Sequence, residues 1–465
     1  ALMVPAGRFG VIPEVEGTMI RRALGAAAGL ALAATLVLGA VAQAGTTKMV
    51  RDIDTTGGSS PSELTRYKGQ LFFTARTPSK GRELWKSDGT RTGTKLVKDI
   101  DPGAANSGPR DLTVVDGKLF FVAHHPVRGF KLYVTDGTAS GTRMLWRASA
   151  DYSNPDGLTK VGKTLFFQAK HPRKGYELWK SDGTKAGTKL VRDINLVGDS
   201  DPASITACKG KAYFSAFHPD TGIELWKSDG TWKGTKLVKD LDRGGHSSPR
   251  QLTTAGGLLY FRADPAWSGS ELFRSDGTTK GTRIARNIQS GAADSDPRLL
   301  GALGGRLYFN AITPGKGREL WASDGTKAGT RLVRDILPGT GSSWPGGWVT
   351  MGGRGYFGAQ RDPVNDSLYR TDGTWKGTRV VRAVDVGTDG FGPDWLARVG
   401  KSVFFAGGAP DKELWRTRGT GAWQVKDINP GSAQSHPVRL TRVGDRLFFE
   451  ADDGRHGREL WMWKP

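Results

Sequence analysis

Three features of the 465-residue sequence predict its fold class. A motif of the type Glu-Leu-Trp-Lys-Ser-Asp-Gly-Thr recurs nine times, each repeat unit contains four short strand-like runs, and the two ends of the array are out of step by one strand. Four short antiparallel strands repeated in tandem are typical of a propeller. We therefore predict an all-β protein, a single closed β-propeller of nine four-stranded blades whose last blade is closed by the N-terminal strand.

The aromatic residue of the motif marks the repeat, at spacings of 46 to 48 residues. It falls at Trp85, Tyr133, Trp179, Trp226, Phe273, Trp321, Tyr369, Trp415 and Trp461. In the first full unit the four strand-like runs are Glu63–Tyr67, Gln70–Ala75, Arg82–Ser87 and Lys95–Ile100. These runs are rich in β-branched and aromatic residues and are bounded by Gly, Pro, Asp or Ser, as strands are. Dense apolar stretches such as Leu71-Phe72-Phe73 predict sheets that are buried on both faces.

The two ends of the array predict ring closure. Met49–Ile53 has the sequence of a fourth strand, whereas the chain finishes on Glu459–Trp463, which has the sequence of a third strand. Pairing the two would complete the last blade and remove an exposed sheet edge.

The N-terminal 44 residues are predicted to be separate from the propeller. Residues 19–44 have a basic start, an apolar run and a final Ala-Gln-Ala, which is the pattern of a signal peptide. An uncleaved anchor is the alternative, because the apolar run is just long enough to span a bilayer. Residues 1–18 precede a candidate initiator, Met19, and are interpreted as a mis-called upstream segment. Residues 45–465 form the propeller domain of nine repeats of about 47 residues. We expect a secreted or cell-surface protein with no membrane span after signal cleavage.

The Ser-Asp-Gly-Thr run is interpreted as a structural turn, since it recurs at the same spacing in nearly every unit. Asp in such a turn caps backbone N–H groups, and Gly supplies the positive φ. In the eighth unit Arg418 replaces the Asp, which a structural turn would tolerate. Cys208 is the only cysteine, so there is no intrachain disulfide, and its strand position predicts burial.

The run that starts at Glu83 resembles the ELWxxDGT repeat family of exported bacterial proteins, and the resemblance extends from Lys48 to the C-terminus. It implies a β-propeller-like array and brings no established activity. The unit also resembles, more distantly, the YWTD type of blade, in which a Pro-x-x-Leu strand is innermost. That resemblance implies that Pro61–Tyr67 is innermost and Lys95–Ile100 outermost.

With this strand order, the loop before each innermost strand and the loop before each Glu-Leu-Trp strand share one face, which we call the Pro-loop face. Its prolines are Pro61, Pro109, Pro155, Pro202, Pro249, Pro297, Pro345, Pro393 and Pro437. Arg binds carboxylate or sulfate through paired hydrogen bonds, and Trp offers a flat apolar surface to a sugar ring. The predicted ligand-binding residues are Arg110, Asp201, His246, Arg250, Asp296, Arg298, Trp344, Trp395 and His436.

The net charge favours a polyanionic partner. It is +21, and it falls only to +20 when the three arginines and two glutamates of residues 1–44 are removed. We predict a non-catalytic binding protein for an acidic polysaccharide or another polyanion, without catalytic residues or a resident cofactor. Calcium has candidate ligands in Asp199-Ser200-Asp201 and Asp294-Ser295-Asp296, but neither segment supplies the six to eight oxygens that calcium needs.

Two other functions fit the same face. A lyase acting on a uronate-containing polysaccharide needs a base and a cation that neutralises the carboxylate. Candidates for both roles are His125, His171, His218, His246 and His436, with Arg110, Arg250 and Arg298. A protein-interaction scaffold that contacts a cell-envelope protein is the third hypothesis.

Overall fold

The structure is a computed structural model that describes residues 45–145, 152–362, 365–382, 395–408, 412–431 and 433–465. The signal peptide predicted at 19–44 and the upstream segment at 1–18 lie outside the described residues. Within the described ranges, no helix is long and apolar enough to cross a bilayer.

Nine sheets of four antiparallel strands form the blades, and within a blade the strands pair in sequence order, except that the last blade also takes the N-terminal strand. The strand that precedes blade 1 is β1 (Thr46–Arg51). Blades 1 to 3 consist of β2 (Ser62–Tyr67), β3 (Gln70–Thr77), β4 (Gly81–Ser87), β5 (Lys95–Lys98), β6 (Arg110–Val115), β7 (Lys118–His125), β8 (Gly129–Thr135), β9 (Arg143–Met144), β10 (Ser153–Val161), β11 (Thr164–His171), β12 (Gly175–Ser181) and β13 (Lys189–Arg192).

Blades 4 to 6 repeat the same arrangement. They consist of β14 (Ala203–Cys208), β15 (Lys211–His218), β16 (Gly222–Ser228), β17 (Lys236–Lys239), β18 (Arg250–Ala255), β19 (Leu258–Ala263), β20 (Glu271–Ser275), β21 (Arg283–Arg286), β22 (Arg298–Leu303), β23 (Arg306–Thr313), β24 (Gly317–Ser323) and β25 (Arg331–Arg334). Blades 7 to 9 consist of β26 (Gly346–Met351), β27 (Arg354–Asp362), β28 (Asn365–Thr371), β29 (Arg379–Arg382), β30 (Ala397–Val399), β31 (Ser402–Gly407), β32 (Glu413–Thr417), β33 (Ala422–Lys426), β34 (Val438–Val443), β35 (Arg446–Asp452) and β36 (Arg458–Lys464).

The first strand of each blade lies innermost. Each of these strands contacts the first strand of the next blade, and the series returns from β34 to β2, so the nine blades form a closed ring. Threonine hydroxyls link neighbouring innermost strands: Thr113 Oγ1 donates to the Leu158 carbonyl at 3.2 Å, and Thr206 Oγ1 donates to the Leu252 carbonyl at 3.1 Å. The predicted nine-bladed propeller and the predicted order of its strands are both confirmed.

The ring is closed as the ends of the array predict. β1 pairs antiparallel with β36, with Met49 opposite Trp461 and Thr47 opposite Trp463. Blade 9 therefore has the order β1-β36-β35-β34, and the N-terminal strand is its outermost strand. This pairing covers the edge that β36 would otherwise expose.

The hydrophobic core is divided among the seams between blades. In the seam between blades 1 and 2, Phe72 and Leu84 pack in the same cluster as Leu119 and Phe121, and all four are at most 1 % exposed. Burial of one such side chain contributes about 2 kcal/mol. Because each sheet is covered on both faces, its strands carry apolar residues at successive positions rather than at alternate ones.

The Ser-Asp-Gly-Thr run forms a closed hydrogen-bonded turn between the third and fourth strands. Asp88 Oδ1 accepts hydrogen bonds from Thr90 N at 2.8 Å and from Thr90 Oγ1 at 2.7 Å, and Gly89 has a φ of 89°. Thr90 Oγ1 in turn accepts from Gly93 N at 2.9 Å. These contacts give the run the structural role that the sequence predicts. Cys208 is buried on β14.

Candidate functional site

Eight of the nine innermost strands are preceded by or begin with the sequence Ser-X-Pro, in which X has a positive φ. At the eight described positions this φ lies between 43° and 50°: Ser60, Gly108, Asn154, Asp201, Ser248, Asp296, Trp344 and His436. Left-handed backbone is strained for residues with a Cβ, so seven of these eight residues hold a conformation that the surrounding structure must enforce. Strain repeated around a ring points to loops whose geometry is fixed before a ligand arrives.

A buried glutamate enforces this geometry. The Glu83 carboxylate of the Glu-Leu-Trp motif accepts hydrogen bonds from Ser107 N at 3.0 Å, from Ser107 Oγ at 2.6 Å and from Ile100 N at 3.0 Å. It thereby ties the end of one blade's outermost strand to the Pro loop of the next blade. The described glutamates in this role are fully buried: Glu83, Glu177, Glu224, Glu271, Glu319, Glu413 and Glu459. We call each of them a clamp glutamate.

Burial raises the pKa of every clamp glutamate, because none of these carboxylates has a cation among its principal partners. For Glu177 and Glu319 burial raises the pKa to about 7, against the opposing effect of their hydrogen bonds. Each clamp glutamate therefore favours its neutral form more than an exposed glutamate does.

The sequence analysis assigned no role to the clamp glutamate, although the sequence contains a Glu and Ser spacing that could have identified it. A serine stands two residues before most of the Pro-loop prolines, and it follows the glutamate of the preceding blade by 22 to 24 residues. Blades 2 and 7 depart from the pattern, with Lys131 and Ser367 in place of the glutamate. Lys131 is buried, and its Nζ donates to the Tyr152 carbonyl.

Four of the predicted residues meet in one cluster on the Pro-loop face of blades 5 to 7. The Asp296 carboxylate forms ion pairs with Arg262, with Arg298 and with Arg318. Arg250 forms a further ion pair with Asp264, which also lies 3.6 Å from Arg262. We define the arginine cluster as Arg250, Arg262, Asp264, Asp296, Arg298, Arg318 and Trp344. Its four guanidinium groups and two carboxylates leave a net charge of +2.

Trp344 packs against two of these cations. The guanidinium groups of Arg298 and Arg318 lie 5.4 and 4.9 Å from the centre of the indole ring. Arg318 is only 2 % exposed and is held by Asn310 Oδ1 at 2.8 Å, whereas the Arg298 side chain is 45 % exposed. Burial, together with Arg298 and Arg262, lowers the pKa of Arg318 to about 10, so it stays charged at neutral pH. Arg298 is the member of the cluster best placed to meet a ligand.

A second basic cluster, which the sequence did not predict, lies where blade 9 meets blade 1. The Glu450 carboxylate is 4 % exposed and forms ion pairs with Arg439 and with Arg458. Arg82 lies beside them and donates from Nη1 to the Ser60 carbonyl at 2.8 Å. Burial lowers the pKa of Arg82, with Arg439 acting in the same direction and Glu450 against it.

Carboxylates occupy the innermost strands of blades 1 to 3. Burial, followed by the Asp156 carboxylate and then Glu63, raises the pKa of Asp111 to about 6. Asp111 Oδ2 is buried. Acidic groups thus lie on the innermost strands of blades 1 to 3, and the arginine cluster lies in blades 5 to 7.

The other five predicted ligand-binding residues lie in other loops of this face: Arg110, Asp201, His246, Trp395 and His436. The Arg110 guanidinium lies 4.4 Å from the centre of the Phe130 ring, and Asp201 Oδ1 accepts from Gln168 Nε2 at 3.3 Å. His246 Nδ1 accepts from the Ile223 backbone N–H at 2.9 Å. The Trp395 side chain is 42 % exposed.

The candidate calcium ligands and the candidate catalytic histidines make local loop contacts. Asp199 and Asp294 each accept a backbone N–H, and Asp296 belongs to the arginine cluster. Among the described residues, no group of three or more His, Cys, Asp or Glu is placed to hold a metal ion. The Nδ1 atoms of three histidines, in blades 2 to 4, accept the backbone N–H two residues later: His125, His171 and His218.

Comparison with known proteins shows no family for this chain. No protein-family model and no curated protein matches the sequence. Among solved structures, the computationally designed Ika8 protein has 15 % identity and a TM-score of 0.43, with 81 % of this chain and 99 % of that chain covered. A prolyl endopeptidase has 14 % identity and a TM-score of 0.44, with 78 % and 55 % covered. The β-propeller domain of the Trilobed protease from Pyrococcus furiosus has 13 % identity and a TM-score of 0.36, with 70 % and 100 % covered. This chain thus spans about half the length of the prolyl endopeptidase, and it is similar to these proteins in fold alone.

Proposed function

We propose that this protein is a binding propeller that recognises an acidic polysaccharide, or another polyanion, through its Pro-loop face. The observation that carries the proposal is the arginine cluster, in which the half-exposed Arg298 guanidinium lies beside the partly buried Trp344 ring. Arg298 can offer two parallel N–H donors to a carboxylate or sulfate, and Trp344 can support the sugar ring that bears it.

The electrostatics of the face support the same ligand class. The cluster has a net charge of +2, and the whole chain has a net charge of +21. The carboxylates of blades 1 to 3 repel an anionic chain, so a polyanion binds along blades 5 to 7 rather than around the whole mouth. Asp296 holds Arg318 in place and leaves Arg298 partly free, which fixes the geometry before binding.

Binding of polygalacturonate tests this function, with neutral dextran as the comparison polymer. We expect wild-type protein to bind polygalacturonate at low ionic strength, to lose affinity as salt is added, and not to bind dextran. Arg298→Ala should weaken binding by about tenfold, because a charge-assisted hydrogen bond of about 1.5 kcal/mol is removed. Biolayer interferometry provides the dissociation constants.

Arg91→Ala is the matched control, since Arg91 is an exposed arginine in a turn on the opposite face. It removes the same charge and should leave binding unchanged. Equal weakening by the two variants, or equal binding to dextran, would contradict recognition by the arginine cluster.

We also propose export of the protein to the cell surface or medium, with residues 19–44 as its signal peptide and the ELWxxDGT family as its relatives. The basis is the sequence pattern alone. Expression of the full chain in a bacterial host should yield a mature protein that begins at Gly45, and N-terminal sequencing measures this. Retention of residues 19–44 in a membrane fraction would favour the anchor instead.

A further inference from the structure

A further basic site lies on the face opposite the Pro-loop face, in the seam between blades 7 and 8. It is a cavity of about 420 Å³. Five cationic residues line it: Arg354, Arg370, Arg398, Lys401 and Arg418. Of the described residues that line this cavity, none carries a carboxylate. We call it the basic pocket.

The topology separates the basic pocket from the Pro-loop face. In an antiparallel blade, the turn between the first and second strands and the turn between the third and fourth strands emerge on the same side. The pocket is built from turns of these two kinds, at Gly352, at Gly400 and at Gly419. The Pro loops join a fourth strand to the next first strand, so they emerge on the other side.

The excess positive charge of the pocket arises because Arg418 replaces the turn aspartate in the eighth repeat. Seven of the described Ser-Asp-Gly-Thr-type turns carry an aspartate, and the eighth carries Arg418. In the seam between blades 2 and 3, the cation that begins the second strand of blade 2, Lys118, faces the turn of blade 3, and its Nζ donates to the Asp182 carbonyl at 3.0 Å. Arg354 is the equivalent cation in blade 7, and the turn of blade 8 presents the Arg418 guanidinium to it where blade 3 has Asp182. The local charge is more positive by two units than the repeat would give.

The contacts of the cations fix their positions without neutralising them. Arg370 Nη1 donates to the Gly419 carbonyl at 2.7 Å, and Arg398 Nε donates to the Gly400 carbonyl at 3.0 Å. The Arg418 guanidinium lies 6.0 Å from the centre of the Trp423 ring.

The Asp372 carboxylate is near enough to Arg354 to be affected by its charge. Hydrogen bonds from Thr374 lower the pKa of Asp372, and Arg354 contributes a smaller lowering. Counted over the described residues, the five cations that line the pocket and this carboxylate leave a net charge of +4. Such a concentration of like charge is unfavourable unless an anion offsets it.

A cavity between two other blades has a different composition. The cavity between blades 5 and 6 is larger, about 540 Å³, and its lining includes Arg283, Arg286 and Lys327. The adjoining turn there retains Asp324. The basic pocket holds more cations in less space, and its turn is the one that lacks the aspartate.

We propose that the basic pocket binds a tetrahedral oxyanion, a phosphate or sulfate group, either free or as the ester of a larger molecule. Guanidinium groups match such anions with paired N–H donors, and Lys401 adds a point charge. The site is independent of the proposed polysaccharide-binding face, so the two can be tested separately.

Isothermal titration calorimetry with inorganic phosphate, inorganic sulfate and glycerol 3-phosphate tests the proposal. We expect saturable binding of at least one of them to wild-type protein. Arg418→Asp restores the residue found in the seven other turns and should raise the dissociation constant by at least about tenfold, since it removes one cation and introduces a repelling carboxylate. Tighter binding of the ester than of the free ions would identify an esterified ligand, and the reverse order a free ion.

The control is Lys185→Asp, which makes the same change of charge at an exposed position of the blade 3 turn. It should leave the dissociation constant within about twofold of wild type, as expected for a distant and screened charge. If the two variants weaken binding equally, or if wild type binds none of the three anions, the proposal is overturned. Arg398→Ala provides a second variant if Arg418→Asp does not fold, and Arg298→Ala should leave this binding unchanged whatever it does to polysaccharide binding.

Discussion

Glu177→Ala is expected to lower the free energy of unfolding by about 4 kcal/mol, because each buried polar group left without a partner costs about 1–3 kcal/mol. The substitution removes the acceptor of the Ile194 N–H at 2.9 Å and of the Ser200 hydroxyl at 2.7 Å. It also leaves a cavity where a fully buried side chain stood. Urea unfolding followed by tryptophan fluorescence gives the change in stability.

Glu177→Gln is the matched comparison, since glutamine retains the shape and one carbonyl oxygen as acceptor. Its loss at neutral pH should be less than half that of the alanine variant. If Glu177→Ala proves as stable as wild type, the clamp glutamate is not what fastens the Pro loop, and the strain in these loops must be held by other contacts.

Stability of the wild-type propeller is expected to fall as the pH rises from about 5 to 8. Burial raises the pKa of Glu177 and Glu319 from 4.5 to about 7 in the folded state. A group whose folded pKa lies above its unfolded pKa stabilises the fold at pH values below the unfolded pKa, and this contribution is lost as pH passes the folded pKa. A shift of this size corresponds to about 3 kcal/mol for each residue.

Thermal unfolding at constant ionic strength, at pH 5 and at pH 8, measures this effect. The double variant Glu177→Gln/Glu319→Gln should show a smaller difference between the two pH values than wild type, because it cannot ionise at these positions. A melting temperature of wild type that increases steadily over this range would contradict the expected sign.

At low pH the aspartates of the Ser-Asp-Gly-Thr turns act in the opposite direction and lower the stability of the fold. Hydrogen bonds from the following threonine lower the pKa of the turn aspartates, among them Asp88 and Asp136. A lowered folded pKa gives stability that is present above the unfolded value of 3.8 and is lost as pH falls through the folded value. The clamp glutamates lose stability above this range and the turn aspartates lose it below, so the stability of the fold should be greatest near about pH 4 to 5.

Four of the seven residues of the arginine cluster were predicted from the sequence. The position after a Pro-loop proline identified Arg250 and Arg298, and the position before it identified Asp296 and Trp344. Their partners Arg262 and Arg318 were not identified, because they lie on second and third strands, where the motif gives no reason to expect a charge. The pairing of Arg250 with Arg262 across β18 and β19 brings the second-strand residue to the same face.

The repeat, the number of blades and the closure by β1 follow from the sequence alone, because turn residues and apolar runs recur in phase about every 47 residues. The assignment of the innermost strand came from the resemblance to the YWTD type of blade. The meeting of particular loops became visible in the folded chain. Arg250 and Trp344 are 94 positions apart in sequence and belong to different blades. Arg418 contributes to the basic pocket only because it lies in the same cavity as Arg354 of the neighbouring blade. A contact across a seam depends on the radial stacking of whole blades, and no pattern within one repeat records it.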